Sequence, residues 1–209
     1  MLIPLPEATP CRIPGAPEDL CLSFANTRYW RGSPAPTETL TGPHDLLHWC
    51  AGEGRADPAL VAAIQARWAE AKDEAAKGLD LALAWREAIF AVFAATARGA
   101  APAEVDLDLL NEALEAAPGR HRLVREAAGW RWILPAPTPG PAALLAPALW
   151  SAGDLLAGGR LGRVRQCANE RCLWLFLDDS KSGTRRWCSM ASCGNRAKAH
   201  RHYARKREK

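Results

Sequence analysis

The sequence predicts an α+β protein: a mostly helical N-terminal body with short strands, followed by a small C-terminal module with a β-hairpin and a basic helix. Hydrophobic residues make up 48% of the 209 residues, enough to bury a core. Four of the seven cysteines lie in the last quarter of the chain. Residues 160–209 contain 14 Lys and Arg against 4 Asp and Glu, whereas the whole chain has a net charge of only +4. A basic end on an acidic body predicts a polyanionic partner for the end alone.

The first elements of the body are recognised from local patterns. Large apolar and small residues alternate from Leu20 to Phe24, which predicts a half-buried strand. Helical spacing follows in Asp45–Trp49 and stops at Gly52 and Gly54. Asp57 and Pro58 then open the next helix as its N-cap and first residue. In the long stretch after it, one apolar helix face is formed by Leu81, Trp85, Ile89, Val92 and Thr96, and Gly99 ends it.

The second half of the body alternates helix and strand. We expect a helix at about 103–116, then two strands, 121–126 and 130–134, around a turn containing Gly129. A proline-rich loop leads to an Ala/Leu helix that ends at Gly158, and Pro147 should kink or split that helix. The glycines that follow predict a boundary between a sensor or dimerisation domain, residues 1–159, and a nucleic-acid-binding domain, residues 160–209.

Two cysteine pairs indicate a metal site. Each pair has four intervening residues, and fifteen residues separate the pairs, which contain Cys167, Cys172, Cys188 and Cys193. Four thiolates without an open position favour one structural Zn²⁺ in tetrahedral coordination. We expect the strand Leu173–Leu177 and a returning strand, Thr184–Trp187, to bring the pairs together. The alternative is four buried free cysteines. Cys11, Cys21 and Cys50 are interpreted as small buried hydrophobic residues.

A cationic helix is predicted after the last cysteine, because residues 196–209 contain no helix breaker. A helical wheel places Lys198, Arg201 and Arg205 on one face, where they can contact nucleic-acid phosphates or enter a major groove. Arg185 and Arg186 extend that surface. The alternative is a solvated tail. We expect Arg171 and Arg196, which adjoin metal ligands, to offset the net negative charge of a four-thiolate zinc site.

A small-molecule site in the body is a further hypothesis. It depends on the polar and aromatic cluster that begins with Asn26, Thr27 and Arg28 at the end of the first predicted strand. The alternative is that Asn26 and Thr27 satisfy backbone groups in a turn.

The sequence contains no nucleophile and base pair, no phosphate-binding glycine loop and no open metal site that would predict an enzyme. His44 and His48 share a helical spacing but are interpreted as surface or capping residues. The N-terminus lacks the cationic start and apolar stretch of a secretory signal, and the apolar runs are too short to span a membrane. We therefore expect a cytoplasmic protein that is not an enzyme. The alternative is an enzyme with its active site in the N-terminal body.

The end of the chain resembles a known family. Cys193-Gly194-Asn195-Arg196 spells the motif of the CGNR zinc-finger family, and Cys172, Trp174, Phe176 and Asp178 match its upstream half. Residues 20–27 resemble the opening of the ABATE-type domain that accompanies this finger, with Ser23 in place of an aspartate. The resemblance implies a bacterial, stress-induced transcription regulator whose zinc finger binds DNA and whose body senses a small molecule or forms a homodimer. Binding of folded RNA is the alternative.

Overall fold

The computed structural model describes residues 11–14, 18–52, 55–127, 129–134 and 138–199. Its helices are α1 (Leu20–Ala25), α2 (Pro43–Ala51), α3 (Pro58–Glu70), α4 (Lys72–Ala97), α5 (Glu104–Ala116) and α6 (Pro141–Ala157). Its strands are β1 (Cys11–Pro14), β2 (Arg28–Tyr29), β3 (Thr37–Glu38), β4 (Arg122–Glu126), β5 (Gly129–Leu134), β6 (Val164–Gln166) and β7 (Leu175–Leu177). The predicted combination of a helical body, short strands and a C-terminal cysteine module is confirmed.

Helix α4 is the centre of the body and contacts α1, α5 and α6. Trp85, Ile89 and Val92 are buried on the predicted face. Leu81, however, is 41% exposed, so the prediction that it belongs to the core face is wrong. It lies one turn before Trp85, in a part of the helix whose inward positions are taken by Leu79 and Ala82.

The predicted hairpin of two strands in the second half of the body is confirmed as β4 and β5, which pair antiparallel. Strand β1 adds to the free side of β5 and completes an antiparallel sheet with the order β1–β5–β4. The structure also confirms that Asp57 caps α3, since its Oδ1 accepts hydrogen bonds from the backbone N–H groups of Ala59 (2.8 Å) and Leu60 (3.4 Å).

The segment predicted as the first strand is helical, so that prediction is wrong. Leu20–Ala25 forms α1, in which every residue except Ser23 is buried. Short apolar runs do not distinguish a strand from a buried helix by periodicity. Here the segment forms a helix because α1 packs against both α4 and α6.

Proline 147 does not split α6, which runs without interruption from Pro141 to Ala157. Residues 143–152 of this helix are all buried. Tertiary packing around the whole helix therefore holds it together where local propensity alone predicts a break.

The strands of the C-terminal module differ from the predicted pair. Strand β7 falls within the predicted strand, but its partner is β6, which precedes the first cysteine pair, and residues 184–187 form no strand. The hairpin therefore encloses Cys167 and Cys172 in its loop. Val164, Leu175 and Leu177 point into the same core as α4, so the hairpin packs directly on the body.

None of the helices in the described ranges is long and apolar enough to cross a membrane.

Candidate metal centre and its surroundings

The four cysteines of the C-terminal module meet at one point. The sulfur atoms of Cys167, Cys172, Cys188 and Cys193 all lie within 4.8 Å of one another. The Sγ–Sγ distance is 3.7 Å between Cys172 and Cys188 and 3.9 Å between Cys188 and Cys193. Sulfurs at the corners of a tetrahedron around zinc, with Zn–S bonds of about 2.3 Å, are about 3.8 Å apart. The four sulfurs therefore fit one structural Zn²⁺.

The first ligand pair is positioned by the loop of the β6–β7 hairpin. The Cys167 N–H donates to the Trp174 carbonyl at 2.8 Å, and the Cys172 N–H donates to the Asn169 carbonyl at 2.8 Å. Leu173 adopts a positive φ of 57°, which turns the chain from the loop into β7. These bonds direct both thiols to the same side of the hairpin.

The second ligand pair is brought to the hairpin by the segment 178–194. Asp178 is completely buried and its carboxylate accepts from the N–H groups of Ser180 (3.0 Å) and Arg185 (2.9 Å). The Ala168 N–H then donates to the Arg186 carbonyl at 2.9 Å. Cys193 lies in the wide helical turn Met190–Gly194, directly before helical residues 195–199.

Asn169 also contacts the metal site, and the sequence analysis did not predict this role. Its Nδ2 donates a hydrogen bond to the Cys193 sulfur at 3.3 Å, across the two ligand pairs. N–H donors to thiolate sulfurs offset the negative charge of the cluster. A polar side chain within a Cys-x4-Cys loop is the sequence signal that could have identified it.

The crowding of the thiols also changes their acidity. Hydrogen bonds from the Cys172 and Cys188 thiols lower the pKa of Cys167. The pKa of Cys172 is raised, because its thiol serves as the donor to its neighbours. Cysteines bind zinc as thiolates, so metal binding at this site releases protons and depends on pH.

Comparison with known families agrees with this geometry. Residues 18–159 match the ABATE family model, described as "Putative stress-induced transcription regulator". The match covers more than half of the chain. The chain belongs to the ABATE family. Residues 163–206 match the CGNR zinc finger, which contains all four ligands. No curated protein shows significant similarity to the chain.

Arginines predicted to contact nucleic acid lie on the surface of the CGNR module. Arg185 and Arg186 are both exposed. Arg185 also has a structural use: its Nε donates to the Trp187 carbonyl at 2.9 Å, a second nitrogen donates to the Cys188 carbonyl, and the guanidinium lies over the Phe176 ring. The guanidinium carbon of Arg186 lies 5.5 Å from the centre of the Trp187 ring. The Arg185 side chain is thus held by hydrogen bonds within the module, and the contact described for Arg186 is with an aromatic ring.

In the CGNR helix, Lys198 is exposed, and Arg201 and Arg205 lie outside the described residues. Arg196 places its guanidinium 4.6 Å from the centre of the Trp30 ring. Arg171 is exposed beside Cys172, and its carbonyl accepts from the Gly32 N–H at 3.3 Å. Both arginines adjoin the thiolate cluster, as the sequence suggests, and their offsetting role stays a prediction.

Asn26 joins the ABATE domain to the zinc finger. It is 4% exposed, and its Nδ2 donates to the Leu175 carbonyl (2.7 Å) while its Oδ1 accepts from the Leu175 N–H (3.0 Å). The Thr27 hydroxyl donates to the Phe24 carbonyl at 2.8 Å. Thr27 thus satisfies a backbone group in the local turn, as the alternative interpretation expects, whereas Asn26 satisfies those of a distant strand residue. Arg28 lies 3.7 Å from Glu87. Ligand binding by these three residues stays a prediction.

The upstream cysteines of the ABATE domain lie apart from this centre. Cys21 and Cys50 are fully buried, and burial raises the pKa of each thiol to about 12. They occupy core positions as small apolar side chains, as predicted. Cys11 has no described side chain.

A buried arginine fixes the loop beside the finger. Arg86 is 2% exposed and binds both carboxylate oxygens of Glu38, at 2.5 and 2.6 Å. Partial burial acts to raise the pKa of Glu38, but hydrogen bonds from Arg86 and from the Leu40 N–H outweigh it and hold the pKa below its ordinary value. Glu87 bonds both Arg86 and Arg31, so the pairs form one network. This network positions the segment 28–33 against the CGNR module.

Proposed function

We propose that the protein is a DNA-binding transcription regulator whose contact surface is the CGNR module. One observation carries the proposal. Helical residues 195–199 continue the wide turn Met190–Gly194 that contains the ligand Cys193, so a bound zinc ion would anchor the cationic segment at its start. Lys198 is exposed on that helix, and helical spacing in the sequence predicts Arg201 and Arg205 on the same face. A rigidly held cationic helix suits phosphate contacts and entry into a major groove.

The charge distribution supports a polyanionic partner. Residues 1–159 carry 13 Lys and Arg against 19 Asp and Glu, and the basic excess lies wholly in residues 160–209. An acidic body is repelled by DNA while the finger is attracted, so the electrostatic field orients the protein with its finger toward the duplex.

The proposal is tested with duplex DNA selected by genome-wide capture. Each phosphate contact contributes about 0.9 to the slope of log affinity against log salt concentration. Simultaneous replacement of Lys198, Arg201 and Arg205 by Ala should weaken binding and reduce that slope by about 2 to 3.

A matched control removes the same charge elsewhere. Lys72, Lys77 and Arg122 are exposed on α4 and β4 of the body. Their replacement by Ala should leave the salt slope unchanged. An unaltered slope in the finger variant, or an equal loss in the control, would remove the helix from the interface.

Binding of structured RNA is a second candidate, and one observation favours it. Tyr29 is 38% exposed and stacks on Trp174 of the module, with ring centres 5.2 Å apart. Accessible aromatic rings are common stacking platforms for unpaired bases. Preference for folded RNA over the captured duplex, with loss of binding on Tyr29→Ala, would favour RNA.

For the body we propose a sensing or homodimerising role without enzymatic activity, in a cytoplasmic, bacterial protein responsive to stress. Light scattering coupled to size exclusion tests the dimer, and hydrolase and transferase assays on the purified protein test the absence of catalysis.

A further inference from the structure

A cleft separates the body from the zinc finger beside the metal centre. Its volume is about 710 Å³, within the range of roughly 300–1,000 Å³ typical of small-molecule sites. Trp30 of the body lines one side. The finger supplies Trp187, the hairpin-loop residues Glu170 and Arg171, and Arg196 from the start of the basic helix. Ligand pockets commonly form at such junctions between two parts of a chain.

The wall formed by Trp30 is held in a strained conformation. Trp30 has a positive φ of 52°, which is unfavourable for a bulky side chain. Two residues later, a Cβ atom on Gly32 would lie 1.8 Å from the Glu170 carbonyl oxygen, so the loop approaches the hairpin as closely as only glycine permits. The Arg196 guanidinium then covers part of the Trp30 ring. The surrounding contacts thus maintain one defined position for this indole.

The polar groups of the cleft offer both kinds of hydrogen bond. Glu170 supplies only acceptors, and Arg171 supplies only donors. Within the described part of the chain, neither side chain has a hydrogen-bond or ion-pair partner, and both are exposed. The pair therefore suits a planar ring that presents both donors and acceptors along its edges.

A guanine ring satisfies these requirements. Its O6 and N7 accept hydrogen bonds from an arginine, its N1–H and N2–H groups donate to a carboxylate, and its faces stack on indole rings. Adenine lacks the O6 acceptor and the N1–H donor. From the cleft volume and this donor and acceptor set, we propose that the junction binds a free guanine nucleotide, with Trp30 and Trp187 contacting the base and Arg171 and Glu170 reading its edges.

Occupation of the cleft has a direct consequence for the basic helix. Arg196 lines the site and begins the helix that carries Lys198, so a bound nucleotide contacts the body and the proposed DNA-binding surface together. The effect on DNA rests on the proposed function, whereas nucleotide binding itself does not.

The test is calorimetric titration of the full, zinc-loaded chain with guanosine, inosine and adenosine 5′-monophosphates. We expect saturable binding in the order GMP, IMP, AMP, with GMP about tenfold tighter than AMP. Arg171→Gln and Glu170→Gln should each weaken GMP binding about tenfold, since each removes a charge-assisted hydrogen bond. Lys181→Gln, an exposed neutralisation on the same module outside the cleft, should leave binding unchanged. Zinc content and unfolding temperature establish that each variant is folded.

Several results would overturn the inference. They are the absence of binding up to about 5 mM GMP, equal affinity for GMP and AMP, and unchanged affinity in both cleft variants. The ranking of nucleotides by the wild-type chain decides the question even if a variant does not fold. Arg171-dependent binding of a single-stranded decanucleotide without binding of GMP would assign the cleft to nucleic acid and refute the free nucleotide. A titration of DNA with and without GMP then measures coupling separately.

Discussion

Removal of the Asn26 amide is the most direct test of how the zinc finger is attached. Asn26→Ala deletes both hydrogen bonds to Leu175 and leaves the N–H and the carbonyl of that buried residue without these partners. Each buried backbone group that loses its partner costs about 1–3 kcal/mol, so the variant should lose about 2–6 kcal/mol of unfolding free energy. This is a large part of the 5–15 kcal/mol that typically stabilises a protein.

The loss is measured by urea unfolding of the zinc-saturated protein, followed by far-UV circular dichroism. Ser23→Ala is the matched control, because Ser23 is exposed on the same helix, and it should change stability by less than about 0.5 kcal/mol. We also expect Asn26→Ala to weaken zinc binding, since the hairpin held by Leu175 carries Cys167 and Cys172 in its loop. A change as small as that of the control would refute the reasoning.

Three further predictions concern the metal, the buried ion pair and the upstream thiols. Cys188→Ser should abolish stoichiometric zinc in elemental analysis and deprotect residues 178–194 in hydrogen exchange while α4 stays protected; full protection of that segment without metal would contradict it. The lowered pKa of Glu38 means that its pairing with Arg86 stabilises the fold above the ordinary pKa of 4.5 and is lost as the pH falls through the lower folded value. Glu38→Gln should therefore flatten the decline of stability in acid, and an unchanged decline would be evidence against this role. Cys21 and Cys50 should resist alkylation at pH 8 until the protein is unfolded, as followed by mass spectrometry, because their thiols are buried and their pKa values are about 12.

The metal ligands and several helix boundaries could be predicted from sequence because their signals are local. Cysteine spacing identifies a tetrahedral site, and the four sulfurs do converge. Asp57 followed by Pro58 identifies the start of α3 for a similarly local reason. The identity of α1 could not be obtained this way, because five apolar and small residues fit a strand as well as a buried helix.

Long-range contacts account for what the sequence did not predict. Asn26 is 149 residues from Leu175, and no pattern around either residue indicates that they meet. The partner of β7 was also predicted incorrectly. Sequence reasoning placed the cysteine pairs at the ends of consecutive strands, whereas the strands flank the first pair and a buried Asp178 folds the second pair back.

The three apolar side chains that β6 and β7 insert into the body have a consequence for the modularity of the chain. Val164, Leu175 and Leu177 fill the interior of the preceding domain, although they belong to the segment matched by the zinc-finger family. A protein truncated after residue 159 would expose the apolar surface that these three side chains cover. We expect such a protein to aggregate or to bind another apolar surface. The zinc finger and the body therefore share one hydrophobic core.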